Sequence, residues 1–282
     1  MNISMKLNIV TAASNSVGRA ILEKIANSED ITIGLSRKGC NIADVLDMRI
    51  TDLINSQTTQ MELAEILSSV DMSKIDKVNL FHNCCLAKYE FPEEYLKYIP
   101  EEYKNKVTCK DFDEDGIDDW AYDTLITTFR NVFSSLYPLC KSIKLSIWTI
   151  CSLTDKKIVY SEKLDKMISP SIFHSMVQSN WILRNEISAL AQEYENIHSV
   201  CISAATVKTE TEDQFRKYSL DKDYWVSGEK VADVLTSLMK EFKNTFIDED
   251  VFVHNPRWAE FLKETDEKLT KRQLFEVSNV RI

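Results

Sequence analysis

Short apolar runs alternate with amphipathic stretches along most of this chain, and few folds accommodate that alternation. KLNIVTA, DITIGLSRK, DKVNLFHNC, IKLSIWTIC, HSVCISAA and DEDVFVH read as strands. Between them, RAILEKIANS, MELAEILSSV, DDWAYDTLITTFRNVFSSLYPLCKS, HSMVQSNWILRNEISALAQEY and GEKVADVLTSLMKEF carry helical spacing. A strand that returns through a helix lies parallel to its predecessor, and right-handed crossovers place helices on both faces. The fold expected is therefore α/β, a doubly wound parallel sheet in three layers. No internal repeat or clear linker interrupts the pattern, so residues 1–282 read as a single domain. Residues 256–282 form an amphipathic extension past the last strand.

Composition narrows the function. Lys plus Arg number 34 against 44 Asp plus Glu, a net charge of −10. Without a basic cluster, nucleic acid and anionic membrane are not expected partners. No apolar segment reaches the ~18 residues of a membrane span. The start, MNISMKLNIVTAAS, lacks a basic lead followed by an apolar block, so it does not read as a signal peptide. Seven cysteines, an odd number without CxxC spacing, suit a reducing compartment, and a cytoplasmic location is expected.

The stretch TAASNSVG, residues 11–18, joins the first strand to the first helix. A turn there presents backbone N–H groups to an anion at a helix N-terminus. Ser14, Asn15 and Ser16 are all competent N-caps, so the turn starts a helix even with Gly18 as its only glycine. The chain has five glycines in all, few for a backbone that wraps a dinucleotide. Two readings stand on these residues alone: a depleted phosphate loop or an ordinary capped turn.

The turn resembles the TGxxxGxG loop of the short-chain dehydrogenase/reductase family, with Ala12 and Ser16 replacing two glycines. Other landmarks fall in order. Arg37, in LSRK, sits where NADP-preferring members carry a basic residue for the 2′-phosphate. Asp52-Leu53 resembles the pair that contacts adenine. His82-Asn83-Cys84-Cys85 takes the place of the NNAG motif. CISAATVKT resembles the ISPGxVxT segment, with Ala204-Ala205 for Pro-Gly. The resemblance runs from about residue 6 to about residue 255. It implies a Rossmann-type fold and an NADP(H) site made by Thr11, Ala12, Ser14, Asn15, Ser16, Val17, Gly18, Arg37, Asp52, Leu53 and Asn83. It also implies a small-molecule substrate and a homo-oligomer paired through the two long helices.

The family's proton donor is a Tyr with a Lys four residues on, one helical turn apart and so on one side. Aligning ALAQEY with the family's ALAKEL puts Met176 at the Tyr position and Asn180 at the Lys position. Aligning TLITTF with NLxGxF puts Thr124 at the supporting Asn. Ser152, in WTICSL, keeps the family residue. Met has no proton to give and Asn no charge, so the resemblance implies impaired or lost carbonyl reduction. Two outcomes are open: an atypical oxidoreductase, or a non-catalytic scaffold or ligand-binding subunit. Tyr160, in a segment about ten residues longer than is usual for the family, is an alternative donor but reads first as an exposed loop tyrosine. The pair Tyr218 and Lys222 lies in the substrate-covering loop and reads as coincidence.

Other groupings carry less. DFDEDGIDDWAYD has calcium-loop spacing but Tyr122 at the bidentate position, so no metal is expected. Cys84, Cys85 and Cys151 read as packing cysteines without a basic neighbour. His174 reads as a surface or cap residue. The five tryptophans read as core or interface anchors.

Overall fold

The computed structural model describes residues 5–43, 45–49, 52–84, 89–91, 97, 101, 104, 107–109, 119–152, 159–161, 166–168, 174–204, 207–209, 225–241 and 249–253. The strands in chain order are β1 (Met5–Thr11), β2 (Ile31–Ser36), β3 (Leu46–Arg49), β4 (Ile75–His82), β5 (Tyr89–Phe91), β6 (Val107–Cys109), β7 (Lys144–Ser152), β8 (Val159–Ser161), β9 (Lys166–Ile168), β10 (Ile197–Ala204) and β11 (Glu249–Val253). Seven of them form one sheet in the order β11-β10-β7-β4-β1-β2-β3. Every neighbouring pair in that sheet is parallel. The small pairs β5-β6 and β8-β9 stand apart.

The helices are α1 (Ser16–Ile25), α2 (Ser56–Ser68), α3, α4 (His174–Glu193) and α5 (Gly228–Glu241). Helix α3 is three segments end to end: Asp119–Tyr122, a wider π turn over Asp123–Thr127, and Thr128–Cys140. In that turn the Thr128 N–H reaches back five residues to the Asp123 carbonyl.

Burial follows the doubly wound plan. Leu63, Phe129, Val177 and Leu183, from α2, α3 and α4, pack on one face with Leu7, Leu80 and Ile147 of the sheet. Ile21 and Leu22 of α1 and Val231 and Leu235 of α5 pack on the other with Val10, Phe81, Trp148 and Ile202. Central strands lie under helices on both sides, so β1 and β4 are buried almost throughout, as strands of a parallel sheet are. A Lys24–Asp233 ion pair at 2.6 Å joins α1 to α5 at the surface, where solvent screens it.

The structure departs from the sequence reading in four places. Strand β3 was not anticipated: LDMR is too short to show a period. Helix α2 starts at Ser56, five residues before MELAEILSSV, because the Asn55 side chain accepts the Thr58 N–H at 2.9 Å and caps it there. Tyr160 lies in strand β8, paired with Met167 of antiparallel β9, and is not a loop residue. Residues 89–91 and 107–109, to which the sequence reading gave no strand, supply β5 and β6. Residues 111–118 of the acidic stretch, Tyr218, Lys222, Cys85, Ala205 and residues 256–282 lie outside the described residues.

Candidate functional site: the crevice between β1 and β4

From β1 the chain winds outward through β2 to β3, then crosses back to β4 and winds the other way. The order reverses between β1 and β4. Connections leave these two strands on opposite faces, opening a crevice at their carboxyl ends, the usual ligand position in such sheets. Thr11 ends β1 and His82 ends β4, with Asn83 and Cys84 just beyond.

The turn after β1 is built from side chains as much as from glycine. Asn15 is the N-cap of α1, and its Oδ1 accepts the Gly18 N–H at 2.7 Å. The same oxygen accepts from Asn83 Nδ2 at 2.7 Å, and Asn15 Nδ2 donates to the Asn83 carbonyl at 3.4 Å. Helix geometry leaves the Ser16 and Val17 N–H groups without an acceptor inside α1, so they are donors for an anion at this end. Gly18 is required by contact: a Cβ there would lie 2.5 Å from the Ala12 carbonyl oxygen and 3.0 Å from Asn83 Nδ2. Ala12 has φ of 49°, the left-handed region that favours glycine. Behind the turn, a Cβ on Gly228 would meet the Ser16 carbonyl oxygen at 2.9 Å, so the first turn of α5 rests directly on the loop.

Thr11 joins this loop to the end of β4. Its Oγ1 accepts the Asn83 N–H at 3.0 Å and lies 3.3 Å from His82 Nδ1 and 3.4 Å from the Phe81 carbonyl. His82 Nε2 lies 2.9 Å from the Leu125 carbonyl, inside the π turn of α3. Burial holds the imidazole pKa down at about 4, partly offset by the hydrogen bond to Leu125, so the ring is neutral at ordinary pH. A carbonyl only accepts, so Nε2 carries the proton and Nδ1 is the acceptor facing Thr11. Next to it, burial pushes the Cys84 thiol up, with Thr11, Thr128 and Arg37 pulling the other way, so this thiol is not a nucleophile at neutral pH.

The remaining residues singled out from sequence lie on several elements. Ser14 and Ser16 are exposed, and Val17, in the first turn of α1, is buried. Arg37 is exposed just past β2. Asp52 Oδ1 accepts the Ile54 N–H at 2.9 Å, and Asn131 Nδ2 holds the Leu53 and Ile54 carbonyls at 2.9 and 2.7 Å. Thr124 lies buried in the π turn, its carbonyl accepting from the Thr128 hydroxyl. Met176 and Asn180 are one turn apart on α4, 6% and 1% exposed. Asn180 Oδ1 has no hydrogen-bond partner among the described residues. Ser152 is the last residue of β7, in register with Ala204 of β10. Among the described residues no cluster of His, Cys, Asp and Glu is arranged to hold a metal, and no helix is long and apolar enough to cross a membrane.

Sequence reasoning named Asn83 as a cofactor-site residue but missed how it and His82 organise this crevice from below. Asn83 presents its amide to Asn15 rather than outward. His82 was noted only as a substitution in a motif, and its link to Leu125 spans 43 residues with no local signal.

No protein-family model matches the chain, and no curated protein matches it. Solved structures do. The 3-ketoacyl-(acyl-carrier-protein) reductase of Brucella melitensis, complexed with NADH, superposes with a TM-score of 0.64 at 14% identity, covering 90% of this chain and 99% of that one. L-sorbose reductase of Gluconobacter frateurii, complexed with NADPH and L-sorbose, gives 0.63 at 15% identity over 90% and 98%. The alcohol dehydrogenase of Thermococcus sibiricus, complexed with 5-hydroxy-NADP, gives 0.62 at 12% identity over 90% and 97%. Structures described as short-chain dehydrogenases from Burkholderia cenocepacia and Streptomyces avermitilis match in the same way. The chain has the Rossmann-type fold of short-chain dehydrogenases/reductases.

Proposed function

We propose that the chain binds NADP(H) in the crevice between β1 and β4 and acts there on a small carbonyl or alcohol by an altered route. One observation carries this reading: a loop short of glycine is still held open as a helix N-terminus, by the Asn15–Asn83 pair. The site also fits the cofactor in its close approach at Gly18 and in the unsatisfied Asn180 oxygen, which can accept from a ribose hydroxyl. The structural neighbours crystallised with NADPH and NADP support it. In this reading Thr11, Ala12, Ser14, Asn15, Ser16, Val17 and Gly18 form the pyrophosphate turn. Arg37 pairs with the 2′-phosphate, Asp52 and Leu53 border the adenine, and Asn83 braces the loop. Bound NADPH supplies the hydride. Ser152 orients the substrate oxygen, with Thr124 in the facing wall. Met176 gives no proton and Asn180 no charge, which removes an acid contribution of about 10²–10⁴ in rate. Tyr160 is the alternative donor.

A second reading is a non-catalytic ligand-binding subunit. It is favoured by the deep burial of Met176, whose thioether packs in the core beside Val177 and Leu183. In either case we infer a cytoplasmic homo-oligomer paired through α3 and α4, where Trp181 on α4 is 56% exposed.

Titration with NADPH and NADH, read by nicotinamide fluorescence, tests the site. NADPH is expected to bind more tightly, and Arg37→Glu to abolish that preference while leaving NADH affinity within about twofold. Turnover on a carbonyl panel supports the enzyme, and tight binding without turnover supports the subunit. No binding of either nucleotide by folded protein refutes the proposal.

A further inference from the structure

We propose that His82 is a positioning residue that clamps the nucleotide loop to the π turn of α3, so that the two walls of the crevice respond to each other. The proposal deepens the crevice reading above but stands on geometry that does not require a nucleotide. One imidazole spans the gap: Nδ1 faces the Thr11 hydroxyl at 3.3 Å and Nε2 the Leu125 carbonyl at 2.9 Å. Its ring also meets Phe129 edge-on, with centroids 5.4 Å apart, which limits rotation. Both ends matter to the backbone beside them. At one end, Thr11 also holds the Asn83 N–H, and Asn83 holds Asn15 at the start of α1. At the other, a helix that returns from five-residue to four-residue spacing leaves a carbonyl without a ladder partner. A donor from outside the helix stabilises such a turn. Two carbonyls of this turn, those of Thr124 and Leu125, take side-chain donors, from Thr128 and His82.

The consequence is reciprocal. A ligand that orders Thr11 and Asn83 fixes the imidazole and with it the position of Thr124. A substrate that settles against the turn changes nucleotide affinity by the same factor.

Isosteric replacement separates the two ends. In His82→Gln the amide reaches the Nε2 position and keeps a donor for Leu125. In His82→Asn it reaches only the Nδ1 position and keeps a partner for Thr11. Amide hydrogen exchange of residues 124–129 is the readout, in ligand-free protein of confirmed fold. Thr11→Val is expected to speed exchange there about tenfold, the scale of one lost hydrogen bond, although residue 11 ends β1 and lies outside α3. In the His82→Gln background Thr11→Val is expected to add nothing. His82→Asn, which loses the donor to Leu125, is expected to speed exchange in the turn. Unaltered exchange in Thr11→Val, or effects of Thr11 and His82 that simply add, would overturn the clamp. Adding NADPH to wild type should then slow exchange at 124–129, and in saturated Thr11→Val should not. Failure of wild type to bind NADPH refutes the proposed function, while the ligand-free comparison still decides the clamp.

Discussion

Stability should fall on mild acidification in a way that traces to one ring. His82 is fully buried, and its pKa drops from 6.5 to about 4 on folding. Between those values the unfolded chain takes up a proton that the folded chain refuses. The unfolded state thus binds more protons, and stability declines as pH falls through that window. Above the window the ring is neutral in both states and costs nothing. Below it the penalty is complete, about 3 kcal/mol from a difference of that size. At pH 5 about 2 kcal/mol should already be lost, a sizeable share of the 5–15 kcal/mol that holds a typical domain together. The perturbation is His82→Gln, which keeps a donor for the Leu125 carbonyl and cannot ionise. Urea unfolding of both proteins at pH 7.5 and pH 5.0 isolates the term, because every other titrating group is common to the pair and cancels in the difference. Wild type should lose about 2 kcal/mol more than the variant, with unchanged m-values. Equal losses in the two proteins would refute the reasoning: the ring would then be hydrated or charged in the folded state, and the neutral bridge from Thr11 to Leu125 would not exist.

Gly18→Ala should destabilise by about 1–3 kcal/mol, because the new methyl meets backbone at Ala12 and cannot displace it cheaply. Chemical denaturation reads the loss, and NADPH affinity should fall with it. Ala12→Gly should do the reverse, gaining about 1 kcal/mol by removing a side chain from a left-handed position. The double variant Met176→Tyr, Asn180→Lys should acquire carbonyl reductase activity with NADPH. Both positions are buried, so near-ultraviolet circular dichroism must first show a native fold. A folded double variant that binds NADPH and remains inert would count against the alignment of α4.

What could be read from sequence was what local pattern encodes. Short apolar runs and spacings near four residues marked the order of strands and helices, and that order with right-handed crossovers implied the sheet. Strand β3 escaped because four residues show no period and its pairing partner, β2, supplies the hydrogen bonds. The start of α1 was legible as a choice among Ser14, Asn15 and Ser16, all good caps. Only the approach of Asn83, 68 residues away, selects Asn15. Gly18 could be identified because its requirement, a close strand–helix contact, recurs at the same place in any such turn. The π turn was not legible, since residues 123–127 look helical and their altered spacing coincides with a donor from another strand. Tyr160 was misplaced for a related reason: a three-residue strand exists only through its partner.

The pairing of β1 with β4 also bears on how the protein comes into being. Leu7 lies beside Val78 and Ile9 beside Leu80, so the central ladder closes a loop of about seventy residues. Ladders this distant in sequence form slowly. During synthesis β1 and the turn after it leave the ribosome long before Asn83 can lock them. The emerging segment therefore waits, for several seconds at about 5–20 residues per second, with apolar β1 uncovered. Chaperone dependence and aggregation during expression should concentrate in that interval, before the strand that completes the crevice has emerged.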